Sequence, residues 1–279
     1  MSGQTGRDFY AQSGTGRDIA ARNFDALHAT AGADVVISPD TLAPFDHVHG
    51  RGLLATKDLV AWLEPRAGEA ILDIGSGIGG PARWIAKKYG CSVTGVDLTK
   101  EYCDAARELN IASGMANRVR IMEGSALALP LADAGFDRAY SHNVVMNIAD
   151  KTGAYREAFR VLKPGGRLVL FHLNAGANGP PEFPVPWAMV AEYSVLATDE
   201  ATRRDLAAAG FEILEYHDTT QATLSANPAM RSKMQREGQP QAGVHVLVGE
   251  LYQQSRLNVM RAEEEDRVRT VEVVARKPA

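Results

Sequence analysis

The run Ile71-Leu72-Asp73-Ile74-Gly75-Ser76-Gly77-Ile78-Gly79-Gly80 constrains this chain more than any other stretch. An apolar, strand-forming segment passes straight into a glycine-rich turn and then into Gly80–Tyr89, which is patterned as a helix and closed by Gly90. Glycine takes positive φ without strain and lets a ligand approach bare backbone. The first turn of a helix offers unpaired N–H groups to a negative or polar group. The next strand, Ser92–Val96, is followed by Asp97, an acid roughly 20 positions past the glycines, where two carboxylate oxygens suit two adjacent ribose hydroxyls. Strand, glycines, helix and acid in this order describe a mononucleotide-binding α/β unit. They point to an adenosine-containing ligand.

Around that unit, short β-type runs alternate with helical ones. Ala70–Ile74, Ser92–Val96, Val119–Met122, Asp137–Tyr140 and Arg167–Phe171 read as strands. Gly80–Tyr89, Lys100–Ser113 and Thr152–Leu162 read as helices, the last stopped by Pro164-Gly165-Gly166. This rhythm predicts parallel strands with crossover helices on both faces, a doubly wound, mostly parallel α/β sheet. Residues 1–66 look mainly helical, with a loop around Ser38–Pro44. After Phe171 comes Gly176–Trp187, crowded with Gly and Pro, then helices near Trp187–Val195 and Thr198–Ala209 and a strand at Phe211–Tyr216. Gln221 to Glu265 is largely helical, and Arg269–Ala275 alternates like a closing strand. We read one domain with a helical N-terminal cap (1–66), a cofactor-binding core (67–175), and a lid, helical insertion and closing strands (176–279).

The glycine spacing discriminates among adenosine ligands. Nicotinamide and flavin sites carry G-x-G-x-x-G, which makes room for a pyrophosphate. Here the spacing is G-x-G-x-G-G, and Asp73 lies just before it. A carboxylate there repels a pyrophosphate and suits the ammonium group of a methionine moiety, so the electrostatics favour S-adenosylmethionine. Asp73–Gly80 resembles motif I of the class I S-adenosylmethionine-dependent methyltransferases. Asp97-Leu98-Thr99, Glu123-Gly124-Ser125-Ala126 and Leu162-Lys163-Pro164-Gly165-Gly166 resemble the family's later landmarks in order and spacing. Gly79-Gly80-Pro81-Ala82-Arg83, Phe45-Asp46-His47-Val48-His49-Gly50 and Val145-Met146-Asn147-Ile148-Ala149-Asp150-Lys151 are similar to its small-molecule branch of sterol, tocopherol, phosphoethanolamine and glycine/sarcosine methyltransferases.

The resemblance implies a Rossmann-like seven-stranded sheet, S-adenosylmethionine as cofactor and S-adenosylhomocysteine as product. By position, Gly75, Ser76 and Gly77 would run along the methionine part and Asp73 would sit near its ammonium group. Asp97 would hold the ribose, Leu98 would pack on adenine, and Ser125-Ala126-Leu127 would border it. Many relatives carry an acid where this chain has Ser125. Asn143 would line the cofactor near its sulfonium, and His49 and Arg51 would close from the cap over the methionine carboxylate.

Methyl transfer from a sulfonium is an in-line displacement, so alignment of the acceptor is a large share of the catalysis. A base is needed when the acceptor is a hydroxyl or an acidic carbon, and histidine is best tuned for that near neutral pH. His142 and His172 end strands at the sheet's active edge and are the base candidates. Their plainer readings are a ring turned away from the pocket for His142 and a loop hydrogen bond for His172. Asn147, which cannot take a proton, reads as an amide that orients the substrate. His47 and His49 have a His-x-His spacing without a third ligand nearby, so no metal site is expected. Pro180-Pro181-Glu182-Phe183-Pro184-Val185-Pro186-Trp187 reads as part of a stiff lid walling the acceptor pocket, its plainer reading being a rigid linker packed on the sheet. Trp187, Met189 and Tyr193 either line an apolar pocket or pack as core.

A net charge of -4 supplies no basic field for nucleic acid, and no segment has the apolar length of a membrane span. Two cysteines cannot build a disulfide framework. The expectation is therefore a cytoplasmic monomer or homodimer working on a small, moderately apolar metabolite at a carbon, nitrogen or oxygen. An alternative leaves the cofactor as structure and has the protein catalyse a cyclisation or rearrangement without methyl transfer.

Overall fold

A computed structural model describes residues 16–225 and 252–279. Its sheet has seven strands: β1 (Ala70–Ile74), β2 (Ser92–Asp97), β3 (Val119–Glu123), β4 (Phe136–His142), β5 (Leu162–Ala175), β6 (Glu212–Asp218) and β7 (Val268–Arg276). Their spatial order is β3-β2-β1-β4-β5-β7-β6. All neighbours are parallel except β7, which runs antiparallel to both β5 and β6. Strand order reverses between β1 and β4, and in such sheets the crevice beyond the carboxyl ends at the reversal holds the ligand.

Helices cover both faces. The cap supplies α1 (Gly16–Ala31), α2 (Pro39–Asp46) and α3 (Leu53–Leu63); the core adds α4 (Gly80–Tyr89), α5 (Lys100–Ala112) and α6 (Lys151–Val161); the last third adds α7 (Asp199–Ala208) and α8 (Tyr252–Glu264). Side chains alternate across a strand, and β1 shows why both faces must be buried. Ile71 packs under α3 and α4 with Leu59, Ile85, Val93 and Tyr140. Leu72 packs oppositely, under α6 and α7, with Ala139, Tyr155, Leu168 and Leu206. The expected doubly wound architecture is present.

Several boundaries differ from the sequence reading. The loop expected around Ser38–Pro44 is helix α2. Ser38 caps it, accepting a hydrogen bond from the Thr41 N–H, and Pro39 occupies the first turn, where its missing N–H costs nothing. Helix α6 ends at Val161, just ahead of Pro164-Gly165-Gly166 as expected, but the next strand starts earlier than Arg167: those three residues lie inside β5, where Gly165 takes φ 77° and its N–H donates to Lys277 O at 2.9 Å. No α-helix forms over Trp187–Val195, only a short 3-10 turn at Ala191–Tyr193. The carbonyls that would carry that helix are taken by side chains of the segment after β4. Asn147 Nδ2 donates to Trp187 O at 2.7 Å and to Tyr193 O at 2.9 Å, and Lys151 Nζ donates to Val195 O at 2.5 Å. Of the helical stretch expected over Gln221–Glu265, residues 226–251 lie outside the described residues.

Two ties fasten the N-terminal helices and the 180–188 segment to the core. Arg83 of α4 is fully buried; it donates to Asp46 Oδ2 of α2 at 2.9 Å, to Ile78 O at 2.7 Å and to Asn110 Oδ1 of α5 at 2.9 Å. The α2–α4 approach is tight enough that a Cβ on Gly80 would stand 2.2 Å from Asp46 O. On the other side, Val185, Trp187 and Ala188 of the lid pack with Met146, Val259 and Val268. Asn258 Nδ2 of α8 donates to Pro184 O at 3.0 Å.

Candidate functional site

The glycine turn is held from below by the neighbouring strand. Gly75 N–H donates to Val96 O at 2.7 Å and Ser76 N–H to the same carbonyl at 3.2 Å. Gly77 N–H donates to Asp97 Oδ2 at 2.7 Å, and Thr99 N–H donates to Asp97 Oδ1 at 2.9 Å. Asp97 therefore joins the turn to the end of β2, and each carboxylate oxygen keeps lone-pair capacity for a further donor. Burial pushes its carboxyl above the ordinary range, opposed by the N–H groups of Thr99 and Gly77. Yet the residue is only part-buried. A group that is deep in the protein and still accessible lines a cleft.

The glycines differ in purpose. Gly77 sits at φ 52°, and among the described residues a Cβ built on it would meet nothing within 4 Å, so none of them covers its bare Cα. Gly75, at φ 79°, is covered by Val144, whose Cγ2 would lie 2.2 Å from an added Cβ. Ser76 contributes backbone only. Its hydroxyl, sealed from solvent and unpartnered among the described residues, packs on the bare Cα of Gly95, where a Cβ would stand 2.6 Å away.

Asp73 is 2 % exposed, and its Oδ2 accepts the Tyr140 hydroxyl at 2.7 Å. Burial raises its pKa to about 7, the Tyr140 hydrogen bond lowering and the nearby Asp97 charge adding to the rise. Asn143 follows β4 in the left-handed region at φ 57° and donates its N–H to Phe171 O at 2.8 Å, which leaves its side chain part-buried beside the turn. Leu98 is part-buried next to Asp97. Ser125 Oγ accepts the Leu127 N–H at 3.1 Å and fixes a turn that leaves Leu127 exposed and Ala126 part-buried.

The histidines separate clearly. His49 stacks on His142, with centroids 3.7 Å apart and planes 20° apart, and Phe171 meets the His142 ring edge-on at 5.6 Å. Both histidines are part-buried, and burial holds both neutral, His49 with a pKa lowered to about 3 and His142 well below its ordinary value. His47 belongs to the cap's anchor: its Nδ1 lies 2.8 Å from Asp46 Oδ1. His172 is 3 % exposed, with both ring nitrogens sealed, the Asn174 amide beside it, and burial lowering its pKa to about 4. On β5 it faces the α6 side, near Lys151, and does not reach the cleft surface. Asn147 spends its amide hydrogens on two lid carbonyls and is a latch in this structure. Arg51, exposed and at φ 65°, pairs with Asp58. Among the described residues no three His, Cys, Asp or Glu side chains gather as a metal would need.

Tyr140, Thr99, Val144 and Thr56 shape the site and were not singled out from the sequence. Register brings Tyr140 beside Asp73 on adjacent strands. Alternation along a strand shows which residues share a face, but the partner strand's register is not written locally.

Residues 72–170 match the model of a family described as a methyltransferase domain. Methyltransferase GfsG of Streptomyces halstedii is 30% identical over 63% of this chain and 64% of its own length. The chain spans just under two thirds of the length of the first curated relatives it matches. Geranyl diphosphate C-methyltransferase from Streptomyces coelicolor A3(2) superposes with a TM-score of 0.71 at 17% identity, covering 99% of this chain and 98% of that one. The [4+2]-cyclase SpnF superposes with a TM-score of 0.66 at 22% identity, covering 95% and 98%; likeness at such identities is one of fold. The fold, the glycine cradle with its paired acids and the family match agree: residues 72–170 form a methyltransferase domain, and the chain is similar to class I S-adenosylmethionine-dependent methyltransferases.

Proposed function

We propose that the protein binds S-adenosylmethionine in the cradle between β1 and β2 and transfers its methyl group to a small, moderately apolar metabolite enclosed by cap and lid. The observation that carries this is Gly77: a left-handed residue whose bare Cα is left uncovered by the described residues while its N–H is fixed by the acid at the end of β2. The residues present fit the group. The Gly75–Gly79 backbone would pass along the methionine part, Asp97 would accept the ribose hydroxyls, and Leu98, Ala126 and Leu127 would flank the adenine. Asp73 would face the ammonium, and Asn143 would border the sulfonium end. Once bound, the cofactor supplies an electrophilic methyl on a positively charged sulfur. The chain's own share is to hold an acceptor in line and to keep water out, through the cap tied by Arg83 and the lid tied by Asn147.

A net charge of -4 supports a small-molecule rather than a nucleic-acid acceptor, and two buried free thiols suit a biosynthetic role in a reducing cytoplasm. The protein supplied with methyl-labelled cofactor and a panel of small hydroxyl, amine and carbon acceptors is expected to move label in an Asp97-dependent way. Turnover that persists with S-adenosylhomocysteine in place of S-adenosylmethionine would identify a cyclisation or rearrangement instead.

A further inference from the structure

We propose that His142 is the residue that takes the acceptor's proton, and that the acceptor is a molecule with an acidic hydroxyl, a phenol or an enol. The inference rests on the methyl-transfer reading and adds the substrate class to it.

Among the histidines at the crevice, His142 is the one whose ring nitrogens are available. His172 has both nitrogens sealed. His47 has Nδ1 on Asp46 and Nε2 sealed. His49 is fully engaged. Its Nδ1 lies 3.3 Å from Gly50 O, which can only accept, so that nitrogen carries the hydrogen; its Nε2 then accepts the Thr56 hydroxyl at 3.2 Å. The lone pair of His49 is spent. His142 makes no hydrogen bond among the described residues, yet neither of its nitrogens is sealed. It sits at the carboxyl end of β4, where strand order reverses, next to Asn143 and the Val144 side chain that covers Gly75. The stacked His49 ring and the Phe171 edge fix its plane. His49 is thus a positioning residue and His142 the group that meets the acceptor.

The surroundings decide what such a base can do. Burial disfavours the imidazolium, and the nearby Arg51 guanidinium adds to it. His142 is therefore neutral at physiological pH, with a free lone pair, but it is a weak base. A weak base assists ionisation of an already acidic O–H; an aliphatic alcohol holds its proton too tightly, and a free amine attacks without a base. The balance is simple. The acceptor's O–H bond breaks and its proton moves to the His142 lone pair. The oxygen forms a bond to the methyl carbon as the carbon–sulfur bond breaks. Positive charge leaves sulfur as it appears on the His142 ring, so the net charge of the desolvated cleft is unchanged, and the loss of the neighbouring cation makes His142 a better proton acceptor at that moment. An apolar wall of stacked rings also suits an aromatic acceptor.

The test follows the ring nitrogens of isotope-labelled histidine by NMR in protein saturated with S-adenosylhomocysteine, with catechol as the probe and sarcosine as an amine control. Catechol is expected to move the His142 nitrogen shifts while sarcosine does not. His142→Gln is expected to bind S-adenosylhomocysteine normally but to lose about 100-fold or more in labelled-methyl transfer to catechol, the usual share of a general base. His49→Ala should lower kcat with cofactor affinity kept, and His49→Phe, which restores the stacked wall, should recover most of it. Catechol that leaves the His142 ring unmoved in cofactor-loaded protein overturns the proposal. So does label transfer to sarcosine or carbon that His142→Gln leaves intact. Failure of S-adenosylhomocysteine to bind strikes the cofactor reading itself, and the two failures are told apart by the calorimetric titration that precedes the NMR.

Discussion

At the scale of single residues, the two acids of the cradle work under different constraints. Asp97 is kept ionisable by two backbone donors. Asp73 has one neutral donor, Tyr140, and is buried enough for its pKa to reach about 7 from an ordinary value of 3.8. A carboxyl whose folded pKa is raised contributes most to stability below its unfolded pKa, and that contribution is lost as pH rises through the folded one. Between roughly pH 4 and 7 the unliganded protein should therefore lose about 4 kcal/mol relative to an Asp73→Asn variant, at about 1.4 kcal/mol per pKa unit. Denaturation at a series of pH values checks this. An arriving ammonium favours the ionised form. Cofactor binding below about pH 7 should then release up to one proton, measured as a dependence of binding enthalpy on the buffer's ionisation enthalpy. The glycines make a second pair. Gly77→Ala places a methyl in the open cradle and should weaken cofactor binding while costing only about 1 kcal/mol of stability for its positive φ. Gly75→Ala meets Val144 and should act mainly on the melting temperature.

At the scale of elements, the cap and lid are held by side chains buried on purpose. Burial alone would raise the Asp46 carboxyl, but the Arg83 guanidinium and His47 pull it below its usual value. Removing one member of such a pair strands the other. Arg83→Met should destabilise the protein by about 3–5 kcal/mol, whereas Arg83→Met with Asp46→Leu should recover part of that; chemical denaturation of the three proteins decides. Asn147→Ala should release Trp187 and Tyr193 of the lid and raise the acceptor KM more than it lowers kcat, as expected for a part that encloses rather than reacts. These elements also show where sequence reading stops. The alternation of β1, β2 and their helices was legible because each apolar run is bounded by glycine or an acid. Helix α2 was misread as loop because Pro39 and Pro44 look like breakers, although one sits harmlessly in the first turn and the other is tolerated in a helix of 8 residues. The absent helix near Trp187 depends on Asn147 and Lys151, some forty residues earlier in the chain. No local pattern carries that.

At the scale of the whole molecule, the strand order reverses between β1 and β4, so the glycine turn after β1 and the histidine at the end of β4 stand at the same edge of the sheet. Asp73, Gly75, Gly77 and Asp97 were readable because spacing along one β-α-β unit fixes them together. His49 and His142 stand far apart in sequence and meet only because α3 and β4 pack against each other. The most direct measurement is calorimetric titration of S-adenosylhomocysteine into the native protein and into Asp97→Ala. One site per chain is expected, weakened about 100-fold by the loss of charge-assisted hydrogen bonds worth about 3 kcal/mol. Folded native protein that takes up no S-adenosylhomocysteine, or Asp97→Ala that binds it as tightly as the native chain, would contradict the cradle as the cofactor site.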